Sequence, residues 1–199
     1  MFKDLLKISL LVFLLMSFAC KKSGDSPSGP SIFSDDTAEA VKLVAEANEY
    51  LKEVKVIYKD NKDKISELQV AIGKKEVDNV KKISINLVKE IARGVKLGEN
   101  ATKKIEEAQA LNINPVYKEY LEKKQQALEK QIGAFEYRGD AAKILGEGFG
   151  GTDKAQTDRV IAEFKEKEEK FQRLWKEGLE LSQDANDFAK ESEKKAKKQ

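Results

Sequence analysis

The side chains that carry most protein chemistry are nearly missing from this chain. It has one cysteine, Cys20, two methionines, Met1 and Met16, and no histidine among 199 residues. Zinc sites lean on cysteine and histidine. Blue-copper and nearly all haem sites need histidine, cysteine or methionine. A Ser-His-Asp or Cys-His arrangement cannot be assembled, and the Glu-x-x-His signature of di-iron bundles is excluded. Carboxylate-only catalysis or an all-oxygen metal site is what is left, but no Asp-x-Asp-x-Asp-Gly loop and no glycine-rich phosphate loop is present. A carboxylate enzyme needs acids buried together, and the apolar seams read below contain none. The expectation is a protein that is not an enzyme and carries no cofactor or metal.

The one thiol stands at an informative place. Lys3 and Lys7 give a positive start, partly offset by Asp4, and Ile8 to Ala19 is apolar except for Ser9 and Ser17. That run is short for a membrane span, which takes roughly 20 residues. A charged start, a short apolar run and a small residue before a cut site describe a secretory signal. The residues at that site, Ser17-Phe18-Ala19-Cys20, resemble the lipobox of bacterial lipoproteins, with Ser17 where the strongest form has leucine. The resemblance implies that residues 1–19 are removed and that Cys20 is the site of lipid attachment. The alternative is an ordinary cleaved signal beside a free cysteine, although a lone thiol in an oxidising compartment has no internal partner. Two acyl chains anchor a protein stably, at about 0.8 kcal/mol per buried methylene. In enteric bacteria, aspartate directly after the lipidated cysteine retains a lipoprotein in the inner membrane. Here that residue is Lys21, so the same resemblance leans toward the outer membrane.

Residues 20–34 read as the lipidated cysteine and a flexible linker. Pro27, Pro30, Gly24, Gly29 and a set of serines cannot bury a core. Fully stretched, residues 21–34 reach at most about 50 Å. Charge is dense but balanced, with 37 basic and 35 acidic side chains. A nucleic-acid binder usually shows a marked basic excess, so no nucleic-acid partner is expected.

Residues 35–192 read as four amphipathic helices. In the first, Val44, Leu51, Tyr58, Ile65 and Ile72 recur every seven residues, with Ala47, Val54, Asn61 and Leu68 as a companion series. Asn61 either sets register or marks a break, and continuity is favoured. Gly73-Lys74-Lys75 is the first reversal. The second helix, near 76–111, carries Val80, Leu87, Ile91, Ala101 and Ile105 on one face, interrupted by Gly94 and Gly98. Those glycines admit either a ligand or partner pressed against backbone, or a neighbouring helix at close range. Asn112-Ile113-Asn114-Pro115 is a stop followed by a first-turn proline. The third helix is weaker, because Lys124 and Gln131 intrude on its seam. Gly146 to Gly151 suggests a flexible hairpin around Phe149, either an exposed aromatic binding tip or a loop whose phenylalanine folds back on the core. The fourth helix opens at Thr152 or Asp153 and is read through Val160, Phe164, Phe171, Leu174, Leu181, Ala185 and Phe188, with Trp175 beside the seam. Residues 193–199 form a Lys-rich tail.

Short turns between helices of 35 to 40 residues, about 55 Å long, predict an all-α, antiparallel up-down-up-down four-helix bundle with long coiled-coil-like helices. The general plan is similar to that of small helical surface lipoproteins of spirochaetes, some of which bind host components. The resulting expectation is a lipoprotein of the cell envelope, surface or periplasmic, attached to a membrane through Cys20 and binding a protein or other macromolecule. The alternative is a sensor or carrier with a small ligand between helices near Gly94, Gly98 and Gly178, lined by Trp175.

Overall fold

The computed structural model describes residues 36–151 and 153–196. Cys20, the signal, the linker, Thr152 and the last three residues lie outside them. Four helices follow in order: α1 (Thr37–Gly73), α2 (Val77–Gln109), α3 (Pro115–Gly148) and α4 (Lys154–Ala196). No strand is present among the described residues. The chain is an all-α four-helix bundle running up, down, up and down.

The α1 seam keeps the heptad. Val44, Ala47, Leu51, Val54, Asn61, Ile65 and Leu68 are all buried, and the helix is continuous through Asn61. Its start is fixed by the next turn along the bundle rather than by its own side-chain cap. The Asp36 N–H donates to Asn112 O at 3.0 Å, and the Asn112 N–H donates to the Asp36 carboxylate at 3.2 Å. The α1–α2 reversal closes with Lys75 at φ 58, and the Glu76 N–H donates to Ala71 O at 3.0 Å. That is the left-handed helix end in which glycine is usual; here a lysine occupies it two residues after Gly73.

The second turn follows the sequence. Asn114 accepts a hydrogen bond from the Val116 N–H at 2.8 Å, and Pro115 opens α3. The third turn does not. α3 continues through Gly146 and Gly148, and only Gly150 adopts a positive φ, of 80°. A Cβ there would meet Val77 at 2.5 Å, so the turn is pressed onto α2. Phe149 is 2% exposed and belongs to the core, so of the two readings of this stretch the ring folded back on the core holds and the exposed tip does not. α4 runs to Ala196, past residue 192 where the bundle was expected to end.

The α4 seam also differs in phase. The buried positions are Phe164, Glu168, Phe171, Gly178, Ser182, Ala185 and Ala189, with half-buried Trp175 in the same series. Steps of four and three residues alternate along it without interruption, as a heptad seam requires. Leu174 and Leu181 lie off it and are only half-buried. The helix opposite is small-sided as well: Ala127, Ala134 and Ala141 are all buried, seven residues apart on α3. A Cβ on Gly178 would stand 3.0 Å from Ala127 O, so the two backbones approach closely. Close approach also holds for α1 with α2 and for α2 with α3, but no Cα of α1 comes within 8 Å of one in α4. Side chains bridge that edge. The Tyr58 and Trp175 rings stack with centroids 4.4 Å apart and planes 7° from parallel.

Candidate functional site

The residues singled out by the sequence do not converge on one place. Gly94 faces α1, where a Cβ would rest 3.4 Å from Ile57, and Gly98 faces α3, where it would meet Ile132 at 2.7 Å. Gly178 is covered by Gln131 and Ala127. Each glycine therefore admits a different neighbouring side chain. Phe149 packs in the core half farther from the termini. Trp175 lies on the α1–α4 edge, stacked on Tyr58 and edge-on to Phe135 at 5.5 Å. Cys20 lies outside the described residues.

What the structure does assemble is a polar stripe inside α3–α4. Lys124, Gln131 and Arg138 are seven residues apart on α3 and all are buried. Burial of ionised groups is expensive unless they are paired and hydrogen-bonded; Arg138 is both, while Lys124 is hydrogen-bonded without a counter-charge. Arg138 donates through Nε to Glu168 Oε1 at 3.0 Å and through Nη2 to Oε2 at 2.8 Å. Its guanidinium lies 3.4 Å over the Phe171 ring. Lys124 Nζ donates to Ser182 Oγ at 3.0 Å and to Ser182 O at 3.3 Å. Loss of water around the ammonium pushes its pKa down to about 8. Gln131 keeps one amide hydrogen-bond group unpartnered, as do both amide atoms of Asn61 in α1 and the Ser84 hydroxyl in α2.

Glu168 corrects the reading that no acid enters the seams. It is the single buried carboxylate among the described residues, and its partner is a guanidinium rather than a second acid. That arrangement sets opposite charges against each other across α3–α4. The seven-residue spacing from Lys124 through Gln131 pointed to Arg138, and Glu168 sits three residues before Phe171 and four after Phe164. Both signals were present in the sequence and were masked by charge.

Two shallow grooves flank the outer edge of α3. One is lined by Glu99, Glu106, Glu129, Glu136, Ile132 and Gly133 among others, and the second by Gln126, Lys130, Gly133, Leu174 and Leu181. Neither reaches Lys124, Arg138, Glu168 or Trp175. Among the described residues no group of three or more histidine, cysteine, aspartate or glutamate side chains is placed to hold a metal ion. No described helix is long and apolar enough to cross a membrane. No protein-family model, no curated protein and no solved structure matches this chain.

Proposed function

We propose that the chain is a lipid-anchored protein of the cell envelope, most simply of the outer membrane, that acts by binding a protein or other macromolecule rather than by catalysis. The observation that carries this reading is the place of the only cysteine, at the end of a charged-then-apolar leader and directly before a linker rich in proline, glycine and serine. The fold supports it in two ways. Both ends of the bundle's chain, Asp36 and α4's C-terminus, lie at the end that carries the α2–α3 turn, so an N-terminal anchor leaves the opposite end free. Gly94, Gly98 and Gly178, where the alternative reading placed a small ligand, are each covered by a neighbouring side chain, which favours the outer helix faces as the contact area.

Intact mass of the protein isolated from its native membrane, with and without the signal-peptidase II inhibitor globomycin, tests the anchor. The expected result is a diacyl or triacyl mass starting at Cys20, accumulation of precursor under the drug, and loss of both in Cys20→Ala. A mature mass without lipid would remove the anchor, and with it the envelope-bound reading.

A further inference from the structure

The interhelical ion pairs divide the bundle in two. Arg93–Glu53 and Lys104–Glu46 join α2 to α1, at 3.2 and 3.0 Å. Lys130–Glu177, Arg138–Glu168 and Lys167–Asp140 join α3 to α4. Among the described residues no ion pair crosses from the α1–α2 hairpin to the α3–α4 hairpin. Side-chain hydrogen bonds that do cross gather near the α2–α3 turn: Gln109 donates to Gln125 at 2.9 Å, and Gln125 donates to Glu106 at 3.0 Å. Farther along, α2 and α3 meet through small residues, with Gly139 against Ile91 and Gly146 against Ser84. On the opposite edge, α1 and α4 have no backbone approach within 8 Å and are bridged by the Tyr58–Trp175 stack.

We propose that the bundle opens as two hairpins. They swing about the α2–α3 edge and part along the α1–α4 edge, with the Tyr58–Trp175 stack as the latch. Three features favour this division over loss of a single helix. Each hairpin has interhelical charge pairs of its own, and its two helices are in close backbone contact. The open edge is joined by side chains alone, so parting it breaks no close backbone packing, although the apolar core the two hairpins share must open with it. Asn61 faces the closed core with both amide atoms unpartnered, and parting the hairpins lets water reach them, offsetting part of the lost burial. Opening turns a layer formed by Tyr58, Phe135, Phe171 and Trp175 from interior into surface. The inference is independent of how the chain is anchored.

Spin-label distance measurements on the full-length Cys20→Ala chain test it. Val56 on α1 and Lys176 on α4 are exposed, so Val56→Cys with Lys176→Cys reads across the open edge. Val56→Cys with Ile85→Cys reads within the first hairpin, and Ile85 is exposed too. The expected result is a second, longer distance for the first pair only. Its share rises about five- to a hundredfold in Tyr58→Ala, the factor expected for loss of the two aromatic pairs with Trp175 and Phe135. The longer distance is sought first in the chain that keeps Tyr58, so the outcome does not hinge on that variant folding. A single narrow distance across the edge in both backgrounds would overturn the proposal. So would equal broadening of both pairs, which means melting rather than hinged opening.

Discussion

Arg138 and Glu168 face each other across α3–α4 in a two-pronged pair whose side chains are only 7 and 8% exposed. The pair stands where a heptad seam calls for apolar residues. Removing one member strands the other charge in the interior, which typically costs about 3–5 kcal/mol. Arg138→Met should therefore lower the unfolding free energy by about that amount in urea titration at neutral pH. The double variant Arg138→Met with Glu168→Leu should regain most of the loss, because replacing both charges by apolar groups is often neutral or stabilising. A double variant as unstable as the single one would mean that the pair contributes net stability.

Lys124 gives the bundle an unusual alkaline response. Its buried ammonium titrates near 8 in the folded chain and near about 10.4 when unfolded. Below about 8 both states are protonated and the burial penalty is present in full. Between these values the unfolded chain holds the extra proton, so stability rises with pH. Burial raises the pKa of Tyr58, Tyr117 and Tyr120, so above about 10 the unfolded chain ionises first and stability falls. Urea midpoints measured from pH 7 to 11 should climb above pH 8 and turn over past about pH 10. Lys124→Met should be more stable at pH 7 and lack the climb. A flat profile that Lys124→Met leaves unchanged would refute this account.

Two glycines on opposite sides of α3–α4 should respond in opposite directions to the same change. Gly178→Ala drives a methyl to 2.6 Å from Gln131 Cγ and 3.0 Å from the backbone oxygen of Ala127, and backbone yields least. It should lower the melting temperature, with a loss of about 1–3 kcal/mol from overpacking. Gly133→Ala meets nothing within 4 Å and should raise stability by about 0.5–1 kcal/mol, as alanine does in a helix interior. Equal effects of the two substitutions would contradict the close α3–α4 approach.

The helices and their turns were largely legible because each signal was local. The seven-residue recurrence through Val44, Leu51 and Ile65 holds in α1, with Ile57 buried beside half-buried Tyr58, and Asn114-Pro115 starts α3 where proline can. The errors came where the interior admits residues that look like surface. In α4 the leucines at 174 and 181 drew the reading off phase, while Glu168, Gly178 and Ser182 hold the true seam. They are tolerated there because Arg138, Ala127 and Lys124 on the facing helix provide a counter-charge, a close backbone and a hydrogen-bond donor. At Phe149 the sequence left two readings open, an exposed tip and a ring folded back on the core, and the second holds. A run of glycines suggests a loop, yet two of them continue the helix and carry the ring inward. The candidate site was less legible still. Gly94 and Gly98 stood out as a pair, but they face different neighbours, a property of the tertiary arrangement that spacing does not encode.

The missing approach of α1 to α4 has a kinetic side. Every close backbone contact between helices joins neighbours in sequence, and the first and last helices meet only through side chains such as the Tyr58–Trp175 stack. Helical proteins dominated by such local contacts fold in about microseconds to milliseconds. The first hairpin is complete in sequence once α2 has ended at Gln109. Its charge pairs need nothing from the remainder of the chain.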